Sequence, residues 1–212
     1  MNPIAFNLPH SSLIRIWHWL TFVVMAFSLF SVLMGNVIFK TRTISPVIQE
    51  SLQHSGANVT EKQSRGVAHE IHDIVWTWHK IIGYGLGILL ISRFFIEFTQ
   101  SKNERIAARI QNAKQGIKDS SLDTNDLKHF IWVNRAYLLF FLLLAFMAIS
   151  GLGMAYEDDV PWLDHIKRIN HNLHGLGQYA IYAYLILHIG GTVISDMTKH
   201  KGIISGMING NR

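Results

Sequence analysis

Three stretches of this chain run without a single charge for long enough to cross a membrane: Trp19 to Phe39 (21 residues), Ala136 to Tyr156 (21 residues) and Leu173 to Ser195 (23 residues). A helix needs about 20 apolar residues to span the hydrocarbon core, because each residue rises about 1.5 Å. Three such runs in a chain of 212 residues exceed what the core of a soluble domain holds. A fourth run, Ile74 to Phe98, carries Lys80 near one end and Arg93 and Glu97 near the other. Long side chains at the ends of a span reach the interface. The expectation is an all-α, integral membrane four-helix bundle forming one domain over residues 1–212. Its spans fall at about 17–39, 74–98, 134–156 and 173–195, with both termini on one side. The first span does not read as a cleaved signal peptide. Its apolar stretch is too long, and Phe39-Lys40-Thr41-Arg42 has no small-residue cleavage site.

The charges fit a membrane better than a nucleic acid. Only 16% of residues are charged, against about 25% in ordinary soluble domains, and the net charge of +5 comes from residues flanking the spans. With the N-terminus inside, 12 basic residues face the cytoplasm and seven face outward. The positive-inside rule therefore places both termini in the cytoplasm. Residues 41–72 then form a polar outer segment with Pro46, Gly56, His54, His69 and His72. The inner segment 101–128 spaces Ile106, Ile110, Ala113 and Ile117 along a helix among Lys and Arg. That pattern suits a basic helix on the inner leaflet or a solvated linker helix.

Cysteine is absent, which excludes disulfides, Cys-ligated zinc, iron–sulfur clusters and covalently attached haem. Metal chemistry must therefore rest on the 12 histidines. Ionisable residues inside a span mark a functional site by default, and four histidines qualify: His18, His79, His174 and His188. His174 and His188 lie 14 residues apart. That spacing is only about 40° short of four full turns and about 21 Å along the axis. They share a helix face at opposite membrane depths. His79 stands level with His174 on the outer side, and His18 stands level with His188 on the inner side. Two imidazoles facing each other from different helices are what six-coordinate haem iron requires.

Gly83, Gly177 and Gly191 each follow one of these histidines by three or four residues, on the same helical face. A missing side chain there lets a flat macrocycle approach the backbone, although glycines of this kind also serve helix packing. His171 lies about 100° off the ligand face and reads as a supporting or surface residue. The string His69-Glu70-Ile71-His72 is one residue short of the zinc motif H-E-x-x-H. His10, His54, His129, His165 and His200 read as solvated.

Two segments resemble a known family. Leu13-Ile14-Arg15-Ile16-Trp17-His18-Trp19-Leu20, with its span ending near Gly35, resembles the first helix of the b-type cytochrome subunit of NiFe-hydrogenases. His171-Asn172-Leu173-His174-Gly175-Leu176-Gly177, then His188, then Asp196 to Gly210, resembles that family's last helix and tail. The wider group is bacterial cytochrome b561. The resemblance implies two b haems on His18, His79, His174 and His188. It also implies electron transfer between a periplasmic-side redox protein or hydrogenase subunit and membrane quinone, in the bacterial inner membrane. The chain is then an electron-transfer subunit of a quinone-linked oxidoreductase. The rival readings are a free-standing quinone oxidoreductase and a proton or metal transporter. Residues 41–72 have no counterpart in the resemblance. Arg15, three residues before His18, either pairs with a propionate of the inner haem or is a plain positive-inside anchor. The acidic loop 157–172, with Glu157, Asp158, Asp159 and Asp164 around Pro161 and Trp162, either receives a partner with a basic face or merely keeps the outer loop soluble.

Overall fold

The computed structural model describes residues 11–100, 105–118, 124–198 and 201–210. His10, Lys102, Lys199, His200 and Arg212 lie outside the described residues. Among the described residues there are helices and no strands. In chain order they are α1 (Ser12–Leu33), running on into a π-helical turn (Met34–Ile38), then α2 (Thr41–His54), α3 (Glu61–Thr99) and α4 (Ile106–Lys118). After these come α5 (Thr124–Ala155), α6 (Pro161–Met197) and α7 (Ile203–Asn209). Among the described residues, four helices are long and apolar enough to cross a membrane: Ser12–Ile38, Glu61–Thr99, Leu127–Ala155 and Pro161–Met197. Their outward faces carry large apolar side chains in the open, such as Leu142 (69% exposed), Phe98 (71%) and Leu187 (75%). Apolar surface on this scale is tolerated only against lipid.

Two spanning helices start well before the apolar runs that announce them. α3 begins at Glu61 because Thr60 and Gln63 form a reciprocal cap. The Gln63 backbone N–H donates to Thr60 Oγ1 at 3.3 Å, and the Thr60 N–H donates to Gln63 Oε1 at 2.9 Å. With 39 residues, α3 is about 58 Å long, against a hydrocarbon core of about 30 Å. Its first turns therefore stand outside the apolar layer. α6 begins at Pro161, whose fixed φ and missing N–H suit a first helical position. Residues 41–72 and 157–172 are thus largely helical rather than open loop.

The chain divides into two compact units. One comprises Leu20–Leu86, with most of α1, the π turn, α2 and the first part of α3. Gly35 in the π turn leaves room for Trp76, whose ring stands 3.2 Å from where a Cβ would be. The other unit comprises residues up to Trp19 and from Gly87 onward. Here α4 lays Ala113 against Leu127, Phe130 and Ile131 of α5, with Ile117 at the edge of the cluster. Arg109 stacks its guanidinium 5.2 Å from the centre of the Phe130 ring. The apolar face of α4 is therefore spent on α5 rather than on the leaflet. Arg93 is also drawn inward, with its side chain 11% exposed. Glu97, one turn on, pairs with it at 2.9 Å, and the Trp17 and Phe141 rings flank its guanidinium. Glu97 also accepts the Ile106 N–H at 2.7 Å and so caps α4.

Within this unit α5 and α6 form a hairpin whose turn is latched by charge. Glu157 is buried and takes Lys167 Nζ at 2.9 Å and His171 Nε2 at 2.9 Å. Burial alone would raise its pKa, but hydrogen bonds and charge from Lys167 and His171 outweigh that and hold it below the ordinary carboxylate value. A depressed carboxylate pKa stabilises the fold above the unfolded pKa, and this contribution is lost as pH falls through the folded pKa. Glu157→Gln should therefore lower the thermal midpoint at neutral pH by a few degrees. The gap to the parent protein should close only as the pH falls through the depressed folded pKa, below the ordinary carboxylate range, where both come to carry a neutral side chain. Thermal unfolding of both proteins across pH checks this.

Candidate functional site

The four span histidines are held in two ways. His18 on α1 and His188 on α6 face each other within one unit, with ring centres 6.3 Å apart and planes inclined at 56°. Tyr184, one turn before His188, lies parallel to it at 5.8 Å, and Phe140 of α5 stacks on Tyr184 at 5.1 Å. His18 Nδ1 is buried and has no hydrogen-bond partner among the described residues. A small cleft of about 50 Å³ opens beside His18. Its polar lining comes from Arg93, Gln100, Arg109, Asn134 and Tyr137.

His79 and His174 belong to different units and share one local device. In the first unit, Ser31 Oγ lies 2.9 Å from His79 Nδ1. In the second, Ser150 Oγ lies 2.9 Å from His174 Nδ1. Each serine hydroxyl also donates back to its own helix, Ser31 to the Ser28 carbonyl and Ser150 to the Phe146 carbonyl, both at 2.7 Å. With its proton committed there, the serine oxygen accepts from Nδ1–H of the histidine. Nε2 is then the unprotonated nitrogen of both rings. A metal-ligating histidine is oriented in this way by its other nitrogen.

A family model described as prokaryotic cytochrome b561 matches residues 9–210. The chain belongs to the prokaryotic cytochrome b561 family. This cytochrome is accordingly a multi-pass bacterial membrane protein that binds haem b and transfers electrons. No curated protein and no solved structure matches it.

The residues fit the group this family carries. A ring nitrogen lies about 1.1 Å from its ring centre and binds a transition metal at about 2.0 Å, so two rings on opposite sides of one metal would stand about 6.2 Å apart. The His18–His188 separation is 6.3 Å. Gly83 and Gly191 have no atom within 4 Å of where a Cβ would stand, so their flanks are open. Gly177 differs. A Cβ there would meet Met147 Sδ at 2.6 Å and Phe146 at 2.8 Å, so its missing side chain makes room for α5. Arg15 lays its guanidinium against Gly210, where a Cβ would collide with it, and Gly210 holds a φ of +83°. Arg93 and Arg109 are the cations lining the cleft by His18.

Sequence reasoning missed Ser31, Ser150, Gly151 and Tyr184. Gly151 is placed so that a Cβ would press on His174 Cε1 at 3.3 Å. A serine within an apolar run carries no spacing signal, since its partner lies on another helix. Ser31→Ala and Ser150→Ala should each leave the fold intact but release the ring they orient. Loss of an outer-shell partner weakens metal retention by about 10- to 100-fold. Haem-to-protein ratio after dialysis against a haem-scavenging apoprotein should fall in both variants and not in the control Ser92→Ala.

Proposed function

We propose that this cytochrome carries two b haems and passes electrons between a redox partner outside the membrane and the quinone pool. His18 and His188 are the ligands of the inner haem, and His79 and His174 those of the outer. The observation that carries this reading is the pair of imidazoles on α1 and α6 at the spacing of two axial ligands. The assignment of His79 and His174 rests on helical register in the sequence, supported by the matching serine anchors. Haem held by His18 with His188 and by His79 with His174 would supply a one-electron iron couple, and two imidazoles on each iron would leave no coordination position for oxygen or substrate.

The protein's own residues do the rest. Ser31 and Ser150 fix the tautomer of the His79 and His174 rings. Tyr184 and Phe140 shield His188 with aromatic surface. The cleft beside His18 offers Tyr137, Asn134 and Arg109 as hydrogen-bonding groups, which suits quinone reacting on the inner side. Both termini are cytoplasmic in this reading, on the excess of basic residues there. A hydrogenase-like or other periplasmic-side partner meets the opposite face. On that face Glu157 and Asp158 are already engaged by Lys167. The acids left for a basic partner are Asp159 and Asp164, beside an exposed Trp162.

Redox titration of purified variants tests the reading. His18→Ala and His188→Ala should each abolish the same one of two b-haem transitions, and His79→Ala and His174→Ala the other. A single haem per chain, or loss of one shared centre in His18→Ala and His174→Ala, contradicts it.

A further inference from the structure

The outer extension of α3 carries a second cluster of ligating groups that electron transfer does not use. His69, His72 and Asp73 sit on adjacent turns, and one ligand atom from each lies within 4.8 Å of the others. His69 Nε2 is 3.7 Å from Asp73 Oδ2, and His72 Nδ1 is 3.6 Å from Asp73 Oδ1. The two imidazoles stack with centres 6.3 Å apart. Ligand atoms around a tetrahedral metal with bonds of about 2.0–2.1 Å stand about 3.4 Å apart. The His–Asp separations are thus within a few tenths of an ångström of closing on one ion. The nearby cation Arg65 is held away at 2.7 Å by Glu61.

A second observation points the same way. His72 Nδ1, the ring atom facing Asp73, is buried and has no hydrogen-bond partner among the described residues. The opposite nitrogen, Nε2, accepts the indole N–H of Trp76 at 2.8 Å. Indole only donates, so Nε2 is unprotonated and the neutral ring carries its proton on Nδ1. That proton points into the cluster without a bonded acceptor.

We propose that His69, His72 and Asp73 bind a divalent transition metal of the zinc or copper class, with His72 ligating through Nδ1. Two imidazoles and a carboxylate, with further positions open to water, suit such ions. Ligation moves the His72 proton from Nδ1 to Nε2, so that two N–H groups would then face each other. The Trp76 hydrogen bond and the metal therefore exclude each other at this ring. Trp76 also meets the His79 ring edge-on at 5.4 Å, so the ion displaces a side chain that touches a span histidine. The site itself does not depend on what His79 binds.

Calorimetric titration of the detergent-purified holoprotein with Zn²⁺ alone decides the matter. One ion per chain should bind, and His69→Ala and Asp73→Asn should weaken it by about tenfold or more. Trp76→Phe should tighten binding by about three- to tenfold, the worth of one hydrogen bond no longer broken. A gain of affinity cannot come from misfolding. Absence of binding, or binding unaffected by His69→Ala and Asp73→Asn, overturns the site. Unchanged or weaker binding in Trp76→Phe overturns ligation by His72 Nδ1.

Discussion

Inside the hydrocarbon a histidine ring has no water to bond, so each of its nitrogens needs a donor, an acceptor or a metal from its surroundings. At His79 and His174 a serine settles one of the two, and that serine is itself settled by a carbonyl one turn back on its own helix. The direction of each bond follows from this chain of obligations. The helix carbonyl takes the hydroxyl proton, the hydroxyl oxygen takes the Nδ1 proton, and Nε2 is the unprotonated nitrogen. Much of the local structure serves to hold these rings in place. Gly151 gives the His174 ring room beside α5, and Gly35 gives Trp76 room beside His79.

The α5–α6 hairpin is built to the same end. Gly153 and Gly177 let the two helices close, with Asn170, Met147 and Phe146 filling the space that a Cβ would take. Asn170 also donates to the Ser150 carbonyl at 3.0 Å, next to the hydroxyl that orients His174. Small residues and side-chain amides are what draw helices together in lipid, where apolar burial gives no drive of its own. At the other end of α6, Asp196 accepts the Ile204 N–H at 3.1 Å and caps α7. The Trp19 indole donates to the Met207 carbonyl at 2.9 Å, so α1 and the tail meet next to His18.

Much of this was legible in the sequence, for identifiable reasons. Charge-free runs report hydrocarbon thickness directly, so the four spans needed no tertiary information. The 14-residue interval from His174 to His188 reports helical register within one element, and the closeness of the His18 and His188 rings follows from span order. What escaped depends on contacts between elements. Nothing in the sequence around Ser150 says that its hydroxyl meets a ring 24 residues on. The inward turn of Arg93 depends on Glu97 and on two aromatic rings from other helices. The early start of α3 was in principle readable, since Thr60-Glu61-Lys62-Gln63 is a capping sequence. It lies outside the apolar run and so outside a search for spans.

In the proposed arrangement two histidines close each iron site, which would make the protein a conduit for electrons rather than a site of oxygen or ligand chemistry. Carbon monoxide added to the dithionite-reduced protein tests this most directly, because it binds ferrous haem only where an axial position is open. With both positions closed, the reduced spectrum of the parent protein should not change, and His188→Gly should form a carbon monoxide complex. A carbon monoxide complex in the intact parent protein would contradict it.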